Sequence, residues 1–505
     1  MVQVALIYAK SPRLRGQAAE QMEANPQGSG VYARDEIYPP LGITLLAAWL
    51  ERAGHRVRLF DDSLDDERSL RGGMQWADVV GISSLTANAR RARELGRMAR
   101  QEYGRMVVMG GPHPTTNPEF FLCSGAADVC VQGEGDLTLP AWLEVREDRA
   151  AWHGVEGIQF LEDGAPVATS RRALFKDMDS MPLPAYHLWD LRRYMQTMVT
   201  PGLMISSSRG CPYACTFCDA EMTPRQYRSM SPERTVDEVQ HLLESFQVPL
   251  LIFNDDLFTI QRKRVIAICK EILRRGLVFE WIAESRVDTM DYELLRWMKR
   301  AGCTKVGYGL ESGSPRMLAT MKKGVTLERI HAGARLSREL GMFFKFFVLY
   351  GFPEDTPEDY RLTEELVALT RPDLICCSIL QPIPGTAVYE QLKPQLLVDL
   401  AEVDFHFWYG TESFVHPSLT GAQIREARER LQRVHERATR GLWPRTRRRL
   451  ERARAMLRHP ELVADWLEAR VRRRRVRRSL ARGPWAEHAT SVEPGARRLA
   501  MSGGG

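Results

Sequence analysis

No apolar run in this sequence approaches about 18 residues, which excludes a transmembrane helix. The opening segment MVQVALIYAK lacks a basic stretch and a small-residue cleavage site, so it is read as a first strand rather than a secretory leader, and the expected compartment is cytoplasmic. Cysteine is scarce and odd in number, nine in 505 residues, which argues against a disulfide framework. No Cys or His stands at zinc-finger spacing from another cysteine pair, and no internal repeat is visible. What remains is ordinary for a globular chain: 44% hydrophobic and 27% charged residues. At about 100–200 residues per domain the length predicts two to four domains.

Charge is unevenly spread. Residues 440–482 hold 16 Arg, no Lys and 4 acids, a balance of +12 against +6 for the whole chain, so the remainder carries about −6. Whole-chain charge therefore says little about any active site. Six cysteines, Cys123, Cys130, Cys269, Cys303, Cys376 and Cys377, are scattered, mostly in apolar runs, and read as small buried hydrophobes.

Residues 1–150 alternate strand-like runs (VALIYA, VRLF, VVGIS, RMVVMGG, DVCVQG) with amphipathic helical stretches. That order predicts a doubly wound parallel sheet of the Rossmann or flavodoxin kind, with ligands at the C-terminal strand ends. The loops there are YPPLG, SSLTAN, GGPHPT and GEGD. Residues 151–195 read as a hairpin with a turn at Asp163-Gly164, then a Pro-rich linker. Residues 196–400 hold six further apolar strands, each followed by a helix, which predicts a parallel barrel or partial barrel. Residues 401–483 read as helical and basic, with Leu450, Met456, Leu457, Val463, Trp466, Leu467 and Val471 at helical spacing; residues 484–505 read as a disordered tail.

Cys211, Cys215 and Cys218 form C-x3-C-x2-C in SSSRGCPYACTFCDAE, just past a strand end. Three thiolates so spaced can hold three irons of a cubane cluster and leave the fourth open. With Gly210 before them and Phe217 before the last cysteine, they resemble the radical S-adenosylmethionine (SAM) superfamily. The resemblance implies a partial (β/α)6 barrel and a [4Fe–4S] cluster that chelates SAM. On the same grounds Phe217, Asn254, Asp255, Asp256, Glu284, Arg286, Glu311 and Ser312 are expected at the SAM site. Asn254–Asp256 suit either the methionine amino group or a helix cap, and Glu284 with Arg286 suit either the SAM carboxylate or a substrate pocket. Gly351 and Gly385 resemble late-barrel adenine-contact and turn positions, or are simple turns.

A doubly wound domain ahead of such a barrel, with PPLG, GGPHPT, GEGD and the linker PLPAYHLW, resembles the cobalamin-binding branch of that superfamily. The resemblance places cobalamin against Pro40, Leu41, Gly42, Ser83, Ser84, Thr86, Gly110, Gly111, His113, Gly133, Glu134 and Gly135. The D-x-H-x-x-G signature is absent, so cobalamin is expected base-off with no protein His on cobalt, and His113 either lines the pocket or sits on a surface loop.

What the resemblance implies is a cobalamin-dependent methyltransferase that methylates an unactivated carbon through a 5′-deoxyadenosyl radical and methylcobalamin. The alternatives are a non-methylating oxidoreductase or cyclase of the protoporphyrin-ester type, a ring-contraction enzyme, or, remotely, an RNA-modifying methylthiotransferase. The last would need more N-terminal cysteines than Cys123 and Cys130. A small-molecule or lipid-like substrate and an electron donor such as flavodoxin or ferredoxin are expected, and nucleic acid is not. The basic C-terminal region suits either a peripheral contact with anionic membrane, at its inner face, or a solvated helix packed on the barrel.

Overall fold

The computed structural model describes residues 1–10, 37–198, 200–218, 225–403 and 413–486. Runs of Val, Ile and Leu too short to span more than one strand build the first sheet. Its strands are β1 (Gln3–Tyr8), β2 (Arg56–Asp61), β3 (Val79–Ser83), β4 (Met106–Gly110), β5 (Val129–Val131), β6 (Ile158–Glu162) and β7 (Ala165–Ala168), in the order β2-β1-β3-β4-β5-β6-β7. The first five run parallel, as expected of a doubly wound domain. Helix α1 (Leu41–Arg52) covers one face, and α2 (Glu67–Trp76) and α3 (Ala89–Tyr103) cover the other. Close approach of α3 depends on Gly96, where a Cβ would lie 2.3 Å from the Ala126 carbonyl oxygen. A shorter helix, α4 (Thr138–Val145), follows β5.

The hairpin expected after residue 150 forms, but it extends the sheet: β6 pairs antiparallel with β5. Ile158 and Phe160 point inward, and Phe160 meets Trp152 edge-on. The Pro-rich segment that follows is partly buried, with Leu183 and His187 exposed and Tyr186 and Trp189 turned inward. Tyr186 donates from its hydroxyl to the Met204 carbonyl at 2.7 Å, and Trp189 donates from Nε1 to Thr44 Oγ1 at 2.8 Å. The linker thereby ties the first sheet to the second, and one continuous hydrophobic core spans both.

The second unit begins with β8 (Gly202–Ile205), then a short antiparallel ribbon of β9 (Ser208–Arg209) and β10 (Arg228–Ser229). There follow β11 (Leu250–Phe253), β12 (Glu280–Ser285), β13 (Cys303–Glu311), β14 (Phe343–Tyr350) and β15 (Leu374–Ile379). These strands, without the ribbon, form a six-stranded parallel sheet in the order β15-β14-β13-β12-β11-β8. β8 and β15 stay unpaired at its edges, so the barrel is partial. Helices α5 (Pro232–Phe246), α6 (Arg262–Arg274), α7 (Tyr292–Arg300), α8 (Leu327–Leu340) and α9 (Pro357–Thr370) alternate with these strands. Ser231 caps α5 by accepting from the Arg234 amide, and Pro232 starts it.

On α5, Glu238 is fully buried and bonds Arg234 at 3.0 Å. Burial pushes its carboxyl up to about 7, and Arg234 only partly offsets this. Between the ordinary carboxyl value and about 7 the folded chain keeps a proton that the unfolded chain has released. Stability therefore falls as pH rises through that window, by at most about 3 kcal/mol from this group. Thermal melts from pH 4.5 to 7.5 should show Glu238→Gln flattening this slope; an unchanged slope would remove the assignment.

Three helices close the chain: α10 (Gly421–Thr439), α11 (Leu442–Arg458) and α12 (Glu461–Arg482). His459 and Pro460 separate the last two. α10 packs on α9, α11 on α8 and α12 on α7. The apolar residues at helical spacing in this region do not face the barrel as a set: Leu450, Leu457, Val463, Leu467 and Val471 are exposed. Trp485, in the expected tail, donates from Nε1 to the Phe246 carbonyl, while residues 487–505 lie outside the described residues. Among the described residues no helix is long and apolar enough to cross a membrane.

Candidate active site

The cysteine motif occupies the loop after β9 and is held from three sides. Asp255, at the end of β11, accepts from the Ser207 amide (2.7 Å), Ser207 Oγ (2.6 Å) and Ser208 Oγ (2.7 Å). Asp256 accepts from the Gly210 amide at 2.8 Å. Gly210 itself has φ +85°, a left-handed conformation that favours glycine. On the far side Thr216 donates its amide to the Met321 carbonyl, and the Val388 amide donates to the Thr216 carbonyl, both at 3.0 Å. Phe217 meets Phe352 edge-on and packs with the apolar cluster around Met317, Met321 and Leu380.

Cys211 and Cys215 are half-buried and Cys218 is exposed. Burial pushes the Cys215 thiol up, while Lys323 and Arg286 pull it back. Among the described residues no three Cys, His, Asp or Glu side chains converge on one metal-ligating point. The donor set nevertheless fits a cluster with three protein ligands: three soft sulfurs on one loop, reaching solvent, with cationic side chains behind. The scattered cysteines differ. Cys130, Cys269, Cys303 and Cys376 are buried, and burial pushes their thiols up.

The predicted SAM-site residues cluster at the same strand ends but in distinct situations. Asn254 is exposed beside the buried Asp255. Burial pushes the carboxyls of Asp255 and Asp256 up, against the hydrogen bonds that hold them. Glu311 ends β13 with φ +66°, an uncommon conformation for a residue with a Cβ. Its carboxylate meets Lys323 Nζ at 2.8 Å, in a pair that is largely buried. Ser312 is buried and accepts from the Ser314 amide at 3.1 Å.

Arg286 stacks on Tyr213 of the cysteine loop at 3.9 Å. It also pairs with buried Asp288 and donates to the carbonyls of Lys323 and Gly324. It thus ties the cysteine loop to the segment that carries Lys323. Glu284 meets buried Lys345 at 3.2 Å. Two glycines of β13 make room for these lysines: a Cβ on Gly309 would sit 2.7 Å from both Lys323 Nζ and Glu311 Oε1, and one on Gly307 would sit 2.7 Å from Lys345 Cε. Gly351 (φ +89°) donates its amide to Asp355, and Gly385 has φ +93°, so both occupy turns.

At the C-terminal edge of the first sheet Ser83 lies beside Gly110, and Pro40, Leu41 and Gly42 begin α1. A Cβ on Gly42, Gly110 or Gly133 would meet nothing within 4 Å. These open backbone positions suit a flat macrocycle laid across the strand ends. Gly135 is more enclosed, with Leu46 3.7 Å from a would-be Cβ. Gly111 (φ +103°) packs against Ser84, where a Cβ would come 2.8 Å from the carbonyl oxygen. Buried Ser84 bonds Asn88 within its own loop.

His113 is fully buried between Phe120 and Phe121, and its Nδ1 meets Thr86 Oγ1 at 3.2 Å. Burial lowers its pKa to about 4, which keeps the ring neutral. Its Nε2 has no partner among the described residues. The surface-loop alternative for His113 is therefore set aside.

Glu134 and Asp136 clamp the two units together. Glu134 takes Arg228 in a bidentate pair at 2.6 and 2.9 Å, and Asp136 takes Arg209 at 2.9 and 3.0 Å. Beside this clamp lies a cleft of about 640 Å³ out to its open mouth, lined by Thr115, Gly133, Glu134, Asp136 and Phe175 among others.

Sequence reading missed Lys323, Lys345, Asp136, Arg209 and Arg228. Glycines at alternate positions inside a strand, Gly307 and Gly309, were the available signal of something approaching the backbone. Arg209, directly before the Gly-Cys pair, was another.

The B12 binding domain family matches residues 31–143, and the radical SAM superfamily matches residues 205–367. An uncharacterized methyltransferase of Pyrococcus horikoshii is 31% identical over 360 residues, covering 70% of this chain and 78% of the relative. The anaerobic magnesium-protoporphyrin IX monomethyl ester cyclase of Cereibacter sphaeroides is 28% identical over 75% of this chain and 63% of its own length. Among solved structures, OxsB with aqua-cobalamin and S-adenosylmethionine bound superposes with TM-score 0.67 at 15% identity, covering 98% of this chain and 82% of that one. TsrM from Kitasatospora setae with cobalamin and a [4Fe–4S] cluster gives TM-score 0.63 at 18% identity over 78% and 74%.

Proposed function

This chain belongs to the B12-binding radical SAM family and is a cobalamin-dependent radical SAM enzyme; on that premise we propose that it methylates an unactivated carbon of a small or lipid-like substrate. When bound, the cluster supplies an electron for SAM cleavage and cobalamin supplies a methyl carrier. Cys211, Cys215 and Cys218 would hold the cluster, with Glu311 and Ser312 at the SAM ribose. Phe217, Asn254, Glu284 and Arg286 flank that site, and Asp255 and Asp256 act on it by bracing the cysteine loop. Pro40, Leu41, Gly42, Ser83, Thr86, Gly110, Gly133 and Gly135 would frame the corrinoid, with Ser84 and Gly111 shaping the loop beneath them. Neutral, buried His113 fits a base-off cobalamin without a protein ligand on cobalt.

The observation that carries the reading is the clamp. Asp136 and Glu134, on the loop after β5, hold Arg209 and Arg228 of the ribbon that leads into the cysteine motif. The two cofactor regions are therefore tied to each other, as a methyl carrier and a radical generator acting on one carbon require. Hopanoid C-3 methylase of Methylococcus capsulatus, 28% identical over 71% of this chain, supports methyl transfer and a lipid-like acceptor. A flavodoxin or ferredoxin would supply electrons, and the enzyme would work in the cytoplasm with a peripheral contact to anionic membrane.

Anaerobic reconstitution with iron, sulfide and hydroxocobalamin, followed by SAM, reductant and lipid or soluble extracts, tests this. 5′-Deoxyadenosine and S-adenosylhomocysteine should rise together past one equivalent of bound cobalamin. Deoxyadenosine alone, with cobalamin retained, would replace methyl transfer by an oxidative cyclase-like reaction.

A further inference from the structure

α11 is amphipathic, but it is docked the wrong way round for a helix that only covers a barrel. Its inward face is mainly charged, with only Ala455 and Met456 adding apolar contact to the core. Arg448 pairs with Asp373, and Glu451 takes Arg371 at 2.6 Å and Arg338 at 3.3 Å. Arg452 lies against Gly341, where a Cβ would come 2.6 Å from its Nε. The outward face is apolar. Trp443, Leu450 and Leu457 recur every seven residues, and Leu442 lies at the margin of that stripe, one heptad before Arg449. They are 74%, 51%, 83% and 84% exposed.

Arginines border this stripe. Arg449 projects along one margin and Arg454 along the other, and neither makes an ion pair among the described residues. α12 continues the pattern on the adjacent barrel helix. Its outward residues are Val463, Leu467 and Val471, and then Arg474, Arg475 and Arg478. α7 and α8, which carry these two helices, contact each other, so both outward faces look away from the barrel.

We propose that the outward faces of α11 and α12 form a docking surface for an anionic lipid bilayer, with the apolar stripe entering the interface and the flanking arginines meeting headgroup phosphates. Charge complementarity selects this occupant. A solvated helix has no use for four large exposed apolar side chains, and a partner core would not rim them with unpaired like charges. Arg is suited to the margin because its long stem lies along apolar surface while its guanidinium reaches phosphate oxygens. This sharpens the membrane contact placed above by naming its face. It stands apart from the methyl-transfer reading, because vesicle binding needs no turnover.

The full-length protein should co-float with vesicles of equal parts phosphatidylglycerol and phosphatidylcholine, about tenfold or more better than with phosphatidylcholine alone, and high salt should weaken the association. Leu450→Glu/Leu457→Glu should lose flotation about tenfold, with circular dichroism and SAM cleavage unchanged. Arg449→Gln/Arg454→Gln/Arg474→Gln/Arg478→Gln, which spares the apolar stripe, should lose the preference for phosphatidylglycerol. Flotation equal on both vesicle types, or equal for wild type and both variants, overturns the proposal. So does a concentration-dependent dimer that Leu450→Glu/Leu457→Glu dissolves in a protein that ignores vesicles; the occupant is then a second copy. A duplex oligonucleotide that strips the protein from vesicles at physiological salt would assign the arginines to nucleic acid instead.

Discussion

Replacing Lys323 with methionine is expected to cost about 3–5 kcal/mol of stability and to stop 5′-deoxyadenosine formation. Both partners of the Lys323–Glu311 pair are buried, with side-chain exposures of 8% and 11%. Burial works against the Lys323 charge, but the Glu311 carboxylate, with the negative charge of an ionised Cys215 beside it, outweighs it and holds the ammonium above its ordinary value. Removing the lysine leaves a buried carboxylate with no counter-charge, on a residue whose φ of +66° already costs conformational energy. Lys323→Arg offers no rescue, because the larger guanidinium does not fit the cradle that Gly309 makes. The double variant Lys323→Met/Glu311→Gln separates the roles. It removes both charges and should regain most of the melting temperature, while SAM cleavage stays absent because the carboxylate proposed to hold the SAM ribose is gone. Melting curves and deoxyadenosine yields of both variants decide it. A Lys323→Met protein that melts like wild type and still cleaves SAM would show that the pair is dispensable.

The sequence exposed the fold because periodicity carries it. Parallel strands buried on both faces read as continuous apolar runs, and their alternation with helices is local information. The cysteine motif was equally legible, since its three cysteines fall within eight residues. What was hidden depends on contacts between distant segments. Nothing near Asp136 announces Arg209, and Gly309 beside Glu311 signals a close approach without naming Lys323. Such pairs exist only once the sheets are assembled. The same blindness covers the linker: its prolines mark a connection, and nothing local shows that Tyr186 is buried against β8 and Trp189 against α1. It also affected α11, where an apolar stripe beside arginines suits either a membrane contact or a packed helix until Arg448 and Glu451 are seen to do much of the packing.

Breaking the interdomain clamp should uncouple radical formation from methyl transfer. In Arg209→Gln/Arg228→Gln the loop after β5 loses both bidentate partners, while Asp255 and Asp256 still hold the cysteine loop from β11. SAM cleavage therefore survives, but the two cofactor regions lose their fixed separation. A displacement of about 1 Å between reacting groups costs about a hundredfold in rate, so methylated product should fall by about that factor while deoxyadenosine continues. Deoxyadenosine formed per methyl transferred should rise steeply, a readout that mere instability would not give, because instability lowers both products. Arg228 is buried and also donates to the Phe175 carbonyl, so the milder Asp136→Asn provides a second measure with a smaller rise in the same ratio. The exchange Arg228→Glu/Glu134→Arg keeps the opposite charges at the interface and should recover part of the coupling that Arg228→Glu alone abolishes. If the ratio stays at its wild-type value in all of these variants, the clamp holds the chain together without setting the geometry of the reaction, and the alignment of the two cofactors must come from the buried linker through Tyr186 and Trp189.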